Sequence, residues 1–555
     1  MVLKIKNILL LIIIVLIYNS TAIGGEIAFV EVSERTGARF RFQTGSRGMH
    51  DLPEIMGGGV ALFDCDGDGD LDLYCCNGGP IVPGPGLVDE PCRLYKNQGN
   101  WRFVDSTDEA RAPGPSYATG AATGDYDGDG RVDLLVTGWR DRRLYHNEGN
   151  GIFRDVTRSA GLESNGWSAS AAFADLDGDG DLDLFINRYV DYDAFKAPYC
   201  SAPDGKRDYC GPEDFPASNQ QVFRNEGNGT FRDVSVASGI AAAKSGRGLG
   251  VLIADLIGDR APDVFVANDG SACFLFENTG GMRFHEVAAA AGVAFNARGD
   301  AIAAMGVGRG DLDGDGGIDF LVGDLYDRST VCFRLIGKGI YRDDSEFFGV
   351  AAATKRATGF GAVLADFDSD GALDLLQANG HVLDRARLGV PFAMPTLLLR
   401  NDGEGKLTDV SKRAGSWFEK PILGRGVAIG DLDGDGDLDA VVAALDANTA
   451  ILRNESIGGR AIVLNLIAAS RFGRDPVGTR VRARIGERVL VRDIYAGGSY
   501  LSASDRRVHL GLGSATRIDS IEIEWPSGRV ESWNAVSITK PTIDFIEGTG
   551  TAVLK

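Results

Sequence analysis

An acidic nonapeptide recurs seven times in this chain of 555 residues, and the recurrence leaves few folds open. The copies are "DCDGDGDLD" (64–72), "DYDGDGRVD" (125–133), "DLDGDGDLD" (175–183), "DLIGDRAPD" (255–263), "DLDGDGGID" (311–319), "DFDSDGALD" (366–374) and "DLDGDGDLD" (431–439). Their starts are separated by 61, 50, 80, 56, 55 and 65 residues. Each copy follows a small-and-apolar run such as "GGGVALF" or "LGVLIA" and precedes an apolar strand such as "LDLFIN". A hairpin comes next, as in "LYKNQGNWRFVDS" and "VFRNEGNGTFRDV", whose Asn-X-Gly supplies the positive φ that tight turns require. The interval holds four strands per copy, and the 80-residue gap carries an insertion. Seven such units predict an all-β chain, a seven-bladed β-propeller. "FVEVSERTG" (29–37) is similar to the closing strand "FRDVTRSAG" of blade two, whereas the seventh copy stops at "ILRNES" (451–456) without one. The N-terminal strand is therefore expected to complete the last blade and remove its open edge.

Crowded carboxylates repel one another, so the loops call for cations. Read as D-x-D-x-D-x-x-x-D, each places side-chain oxygens at positions one, three, five and nine. The expected ligands are Asp64, Asp66, Asp68 and Asp72; Asp125, Asp127, Asp129 and Asp133; Asp175, Asp177, Asp179 and Asp183; Asp255, Asp259 and Asp263; Asp311, Asp313, Asp315 and Asp319; Asp366, Asp368, Asp370 and Asp374; and Asp431, Asp433, Asp435 and Asp439. Calcium takes six to eight oxygens at about 2.3–2.6 Å and tolerates irregular geometry, and Gly at positions four and six lets the backbone coil around it. Up to seven calcium sites follow. The fourth is expected to be weak, because Ile257 removes one ligand and Arg260 replaces the second Gly. An EF-hand is excluded: position twelve is Cys75, Val136, Ile186, Val266, Val322, Gln377 or Val442, never acidic. A dockerin would carry only two helix-linked loops.

The chain holds 78 acidic and 57 basic residues, a net charge of -21. Assigning the 27 loop aspartates to ions leaves 51 acidic residues and turns the balance to +6. The acidity belongs to metal sites, and no basic stripe suggests nucleic acid. Lys4 and Lys6 precede the apolar run "ILLLIIIVLIY" (8–18), with "STA" (20–22) where a signal peptidase would cut, so residues 1–22 read as a secretory leader. The run is too short to span a bilayer. A secreted, periplasmic or cell-surface location is expected, and with it disulfides.

Cys200 and Cys210 lie together in the blade-three insertion and are expected to pair. Cys92 is a partner for Cys75 or Cys76, Cys273 and Cys332 read as buried strand residues, and Cys65 is expected to point away from its loop. The five histidines show no metal-binding or catalytic spacing. His381 with Asn379, and "RYVDYD" (188–193), follow strand ends and are candidates for a pocket at the channel mouth. The Gly-rich "GRGLG" (246–250) and "GVGRG" (306–310) read as tight blade strands. In the tail, Ile521, Ile523 and Trp525 alternate with Glu522 and Glu524, the mark of a small β domain over 462–546.

The loops with their N-x-G-x-G-x-F-x-D-V hairpins resemble the FG-GAP and VCBS repeats of the integrin α-subunit propeller and of many bacterial exported proteins, over residues 29–456. "RDPVGTRVRARI" (474–485), "GGSYLSASDRRVHLGLG" (497–513) and "IDSIEIEWPSG" (518–528) are similar to the ASPIC/UnbV domain. Propeller plus this domain is the arrangement of the cartilage acidic protein family and its bacterial relatives. The resemblance implies calcium binding, export, and adhesion or extracellular recognition; a protein or glycan is the expected partner, no membrane span is expected in the mature chain, and a monomer is expected. The resemblance supplies no reaction, and catalytic motifs are wanting. The alternative is an enzyme on a propeller scaffold, such as a polysaccharide lyase or a tailoring enzyme of secondary metabolism.

Overall fold

The computed structural model describes residues 25–82, 90–469 and 475–553. The leader expected at 1–22, and the start of the first tail motif, lie outside the described residues. Seven antiparallel sheets follow one another along the chain, six of four strands and that of blade four extended to five by Ala496–Gly497 of the tail, and each acidic loop joins the first strand of a sheet to the second. In blade one the strands are Val60–Phe63, Asp72–Cys75, Arg93–Asn97 and Phe103–Asp105. The first strands touch in sequence around a circle, and that of blade seven (Gly424–Gly430) touches that of blade one. Apolar clusters fill the gaps between neighbouring sheets; Leu135 and Leu144 of blade two, for example, meet Phe173 and Ile186 of blade three.

The N-terminal strand Phe29–Glu31 pairs with Ala450–Asn454, Phe29 lying opposite Asn454 and Glu31 opposite Leu452. Blade seven is thus assembled from both ends of the ring, as the sequence predicts.

A second set of bonds links the blades. The Asn that opens each hairpin turn is buried, and its side-chain amide reaches the position-two carbonyl of the preceding blade's acidic loop. Asn147 Nδ2 donates to Cys65 O (2.9 Å), Asn225 to Tyr126 O (2.7 Å), Asn278 to Leu176 O (2.8 Å), Asn401 to Leu312 O (2.9 Å) and Asn454 to Phe367 O (2.9 Å). Asn97 donates to Leu432 O (2.8 Å) across the junction of blades one and seven. Blade five has no such Asn, and there the Tyr341 hydroxyl donates to Leu256 O (2.9 Å) in its stead. Seven side-chain bonds therefore complete the circle.

The tail folds into two sheets. Arg460–Ile467 lies between Val508–Gly513 and, in parallel, Thr542–Ile546, while Arg480–Ile485 and Arg517–Glu524 sit at the centre of a five-stranded sheet. Ile521, Ile523 and Trp525 are buried, as their alternation predicts. One segment of the tail leaves this core. Residues 495–505 enter the bore of the ring and bond to its inner strands: Gly498 N donates to Val251 O (2.7 Å), Ser499 N to Val307 O (2.6 Å), Ala503 N to Val60 O (2.9 Å) and Asp505 N to Ile429 O (3.0 Å). Glycines of the inner strands leave room for it; a Cβ at Gly59 would lie 2.2 Å from Leu501 O, and one at Gly426 2.3 Å from Ser502 Oγ. A Cβ at Gly306 would strike both Phe360 O (2.2 Å) and Ser499 O (2.8 Å), so the Gly-rich strands accommodate the plug as well as their neighbours.

The plug ends beneath a cap formed by residues 44–56, the blade-three insertion and loops of other blades. Tyr500 donates to Met56 O and stacks edge-on against Phe360, whose other face carries the buried Arg425 guanidinium, 3.8 Å from the ring centroid. Cys200 and Cys210 are disulfide-bonded within the insertion.

The residues expected at a channel-mouth pocket are held by hydrogen bonds within the cap. Tyr192 donates to Asp51 and Tyr189 to Asp269, holding the insertion down on the cap. Asn379 is spent on the carbonyls of Gln377 and Pro395, and His381 Nδ1 accepts the amide of Leu383. Cys92, expected to bridge Cys75 or Cys76, is instead a free thiol beside Cys76, whereas Cys65 packs into the apolar cluster of blades one and two, away from its loop as expected, while its backbone amide donates to Asp72 (2.8 Å). Cys273 and Cys332 are buried.

Candidate metal sites in the acidic loops

The seven loops share one backbone course. Position four has a positive φ in every copy, including the non-glycine Ser369 (56°), and so does position six, including Arg260 (77°). Left-handed backbone costs an L-residue roughly 1–2 kcal/mol, so the surroundings enforce the coil even where Gly is absent.

The aspartates divide into different tasks. At position one, both carboxylate oxygens accept amides of the coil: Asp64 from Gly67 (2.7 Å) and Gly69 (2.9 Å), Asp175 from Gly178 (2.8 Å) and Gly180 (3.0 Å), Asp431 from Gly434 (2.8 Å) and Gly436 (3.0 Å). At position nine the carboxylate is buried and staples the loop to its own sheet; Asp183 accepts Leu176 N (2.9 Å) and Asn225 N (2.8 Å). Position five accepts the amide two residues on, as Asp68 does from Asp70 (2.9 Å) and Asp435 from Asp437 (2.9 Å). These are the bonds of Asx turns. They leave lone pairs over, because each carboxylate offers about four acceptor sites.

Oxygens of positions one, three and nine converge. In Asp64–Asp66–Asp72, Asp125–Asp127–Asp133 and Asp175–Asp177–Asp183 one oxygen from each residue lies within 4.8 Å of the others. Asp129 instead gathers with Asp127 and His146. Burial, reinforced by neighbouring carboxylates, pushes Asp72, Asp125, Asp263 and Asp366 up to about 7 and Asp183 and Asp319 up to about 8. Asp66 Oδ1, Asp311 Oδ1 and Asp368 Oδ1 are buried without a hydrogen-bond partner. Oxygen-only donors, crowded, desolvated and partly unpartnered, fit a hard divalent cation.

In four of the loops a base on the third strand of the blade pairs with this cluster, and the expectation from sequence did not include it. Lys96 Nζ lies 3.3 Å from Asp66, His146 Nδ1 3.1 Å from Asp127, and Arg334 Nη2 2.6 Å from Asp313, each at position three. Arg400 bridges Asp368 (2.6 Å) and Asp370 (2.7 Å). In the fourth loop both partners of the pair are missing: Ile257 stands at position three and packs against the apolar cluster of blades four and five, and Glu277 stands where the base would be. Asp255, Asp259 and Asp263 keep their backbone bonds there. The signal was present in the sequence as Lys96, His146 and Arg400 ahead of three hairpin asparagines, although Arg224 and Arg453 at the same position pair with Glu226 and Glu455 instead.

Comparison with known proteins agrees with this architecture. Residues 64–136, 125–186 and 255–322 match the FG-GAP-like repeat, and residues 470–551 match "ASPIC and UnbV". The chain carries FG-GAP-like repeats and a C-terminal ASPIC/UnbV domain. This FG-GAP ring with its ASPIC/UnbV tail is distantly related to cartilage acidic protein 1, at 26% identity over 319 residues of the Homo sapiens protein, covering 55% of this chain and 45% of that one. The Xenopus tropicalis protein is 25% identical over 320 residues, covering 54% and 45%. The chain thus aligns with less than half the length of these relatives. Among solved structures, an Agrocybe aegerita lectin that recognises non-reducing terminal N-acetylglucosamine shares 18% identity at a TM-score of 0.39, covering 71% of this chain and 86% of the lectin. A rhamnogalacturonan lyase shares 12% identity at a TM-score of 0.33, covering 85% and 93%.

Proposed function

We propose that the chain is an exported, calcium-stabilised seven-bladed propeller that recognises a protein or glycan outside the cell. The observation that carries the calcium reading is the convergence of buried carboxylate oxygens in the repeated loops. The ions would be held by positions one, three and nine, with position five completing the set by side chain or through water. Six full sites are expected and a weaker one at Asp255, Asp259 and Asp263. In the first, second, fifth and sixth loops the base paired with position three makes the site less negative, which tunes affinity without removing a ligand.

Recognition is assigned to the outer loops, because the tail segment fills the bore. Phe195 and Tyr199 of the disulfide-pinned insertion are 78% and 68% exposed, and they are large apolar side chains of the kind that binding surfaces use. Among the described residues no helix is long and apolar enough to cross a membrane.

Equilibrium dialysis against calcium, with melting in calcium and in excess chelator, tests the reading. Each ion held at a hundred times its dissociation constant contributes about 2.7 kcal/mol, so several ions should raise the melting temperature by well over ten degrees. Identical melting curves with no calcium uptake would refute it. Glycan-array and pull-down screening with calcium present then identifies the partner, and Phe195→Ala with Tyr199→Ala should abolish capture without changing calcium uptake.

A further inference from the structure

The ASPIC/UnbV tail grips the acidic loops themselves. In the sixth loop four successive carbonyls accept bonds from it: Asp368 O from Gly459 N (2.9 Å), Ser369 O from Gly513 N (2.8 Å), Asp370 O from Arg488 Nη1 (2.5 Å) and Gly371 O from Arg492 Nη2 (3.0 Å). In the seventh, Gly436 O accepts His509 Nε2 (2.9 Å), and in the first, Gly69 O faces Arg507 Nη1 at 3.5 Å. Gly69, Gly371 and Gly436 all stand at position six, so the tail reads the same carbonyl in three loops. Asp475 accepts the amide of Asp125 in the second loop, and Arg260 of the fourth pairs with Glu524 (3.1 Å).

These contacts flank the plug. Arg492 lies just before residues 495–505, and Arg507 and His509 lie just after them. The plug itself is in a demanding conformation, with Gly497 and Gly498 at φ 77° and 91° and the non-glycines Ser499 and Leu501 at 52° and 54°. Such a backbone persists only while its surroundings hold it. The carbonyls that hold its two shoulders point outward only while each loop stays coiled, and the coil crowds carboxylates that repel one another without a cation.

We infer that the acidic loops form a calcium-dependent latch: ions in the first, sixth and seventh loops keep segment 495–505 in the bore through Arg507, Arg492 and His509, and their removal lets the segment out. This rests on the calcium reading above. Coupling is reciprocal, so a seated plug must strengthen calcium binding by the factor with which calcium favours seating.

Hydrogen exchange on the full chain, in calcium and in excess chelator, tests the latch when calcium uptake is measured by dialysis on the same samples. The amides of Gly498, Ser499, Ala503 and Asp505 should exchange about tenfold faster or more after chelation, while those of the second strands of blades three and four stay protected. Arg492→Ala should free the same amides in calcium and weaken calcium binding about fivefold or more; Arg507→Ala, less buried, should do both to a smaller extent. Calcium uptake with plug amides equally protected in chelator would overturn the latch and leave the calcium reading standing. Loss of protection in plug and blades together would also overturn it, because the ions would then hold the ring and not the plug. Absence of uptake would remove the calcium reading and the latch with it.

Discussion

Asn225 shows how much one repeated side chain does here. Its Oδ1 accepts Gly227 N (3.1 Å), and its Nδ2 donates to Leu182 O (3.1 Å) in its own blade and to Tyr126 O (2.7 Å) in the preceding one. Replacing it with Ala leaves two buried carbonyls unmet, at about 1–3 kcal/mol each. Asn225→Ala should therefore lose roughly 3–4 kcal/mol in urea unfolding, whereas Asn228→Ala at the exposed turn should lose less than about 1. The loop aspartates give a pH prediction of unusual sign. Their folded values, about 6 to 8 for Asp133, Asp72 and Asp183, lie above the ordinary 3.8, so the calcium-free fold binds more protons than the unfolded chain between those limits. That contribution is fully present below about pH 4 and is lost as the pH rises through 6 to 8. In chelator the melting temperature should fall from pH 5 to pH 8; in saturating calcium it should rise, because the ion binds the ionised carboxylates. Parallel trends in the two conditions would contradict this. The acidic residues were legible in the sequence because charge crowding at a fixed spacing has one economical explanation. The asparagines were legible only as turn formers, since the carbonyl each one bonds lies 82 to 102 positions away in five blades and 335 away for Asn97.

At the scale of strands and segments, the plug is the element that alternation and turn rules did not reveal. "YAGGSYLSASD" has neither helical nor strand period, and what fixes it is the set of carbonyls and glycines lining the bore, which belong to other repeats. The inner-strand glycines supply a test. Gly59→Ala would place a methyl 2.2 Å from Leu501 O, a backbone atom that cannot swing aside. The variant should be destabilised by about 1–3 kcal/mol, and trypsin should cut after Arg506 or Arg507 faster than in the parent, while a fragment of the blades stays intact. Unchanged cleavage would mean that the plug has slack that these contacts do not show. The four-strand units were legible as predicted, because each loop, strand and hairpin carries its own turn chemistry. The cap was half legible: the Cys200–Cys210 pair was expected, but the phenols of Tyr189 and Tyr192 bond to carboxylates contributed by distant loops.

For the molecule as a whole, closure is what turns seven marginal sheets into one body. No single four-stranded sheet buries both of its faces; each depends on two neighbours, and the seventh depends on residues that precede the first. Ile27, Phe29 and Val32 are 3%, 3% and 5% exposed, and burying three such side chains contributes roughly 5 kcal/mol. A truncated chain that begins at Gly37 should lose about that much and expose the Ala450–Asn454 edge, seen as a lower melting temperature and as concentration-dependent aggregation by light scattering. Calcium should only partly restore it. The same clasp dictates an order of events during synthesis. The strand around Phe29 leaves the ribosome before any of the seven sheets, yet its partner Asn454 arrives only after the other six have been made, and Ala28 meets Ser456 across 428 residues. The strand made before the first sheet is therefore seated only when the seventh is made, and for the whole of that interval a hydrophobic segment must be kept from pairing with the wrong neighbour.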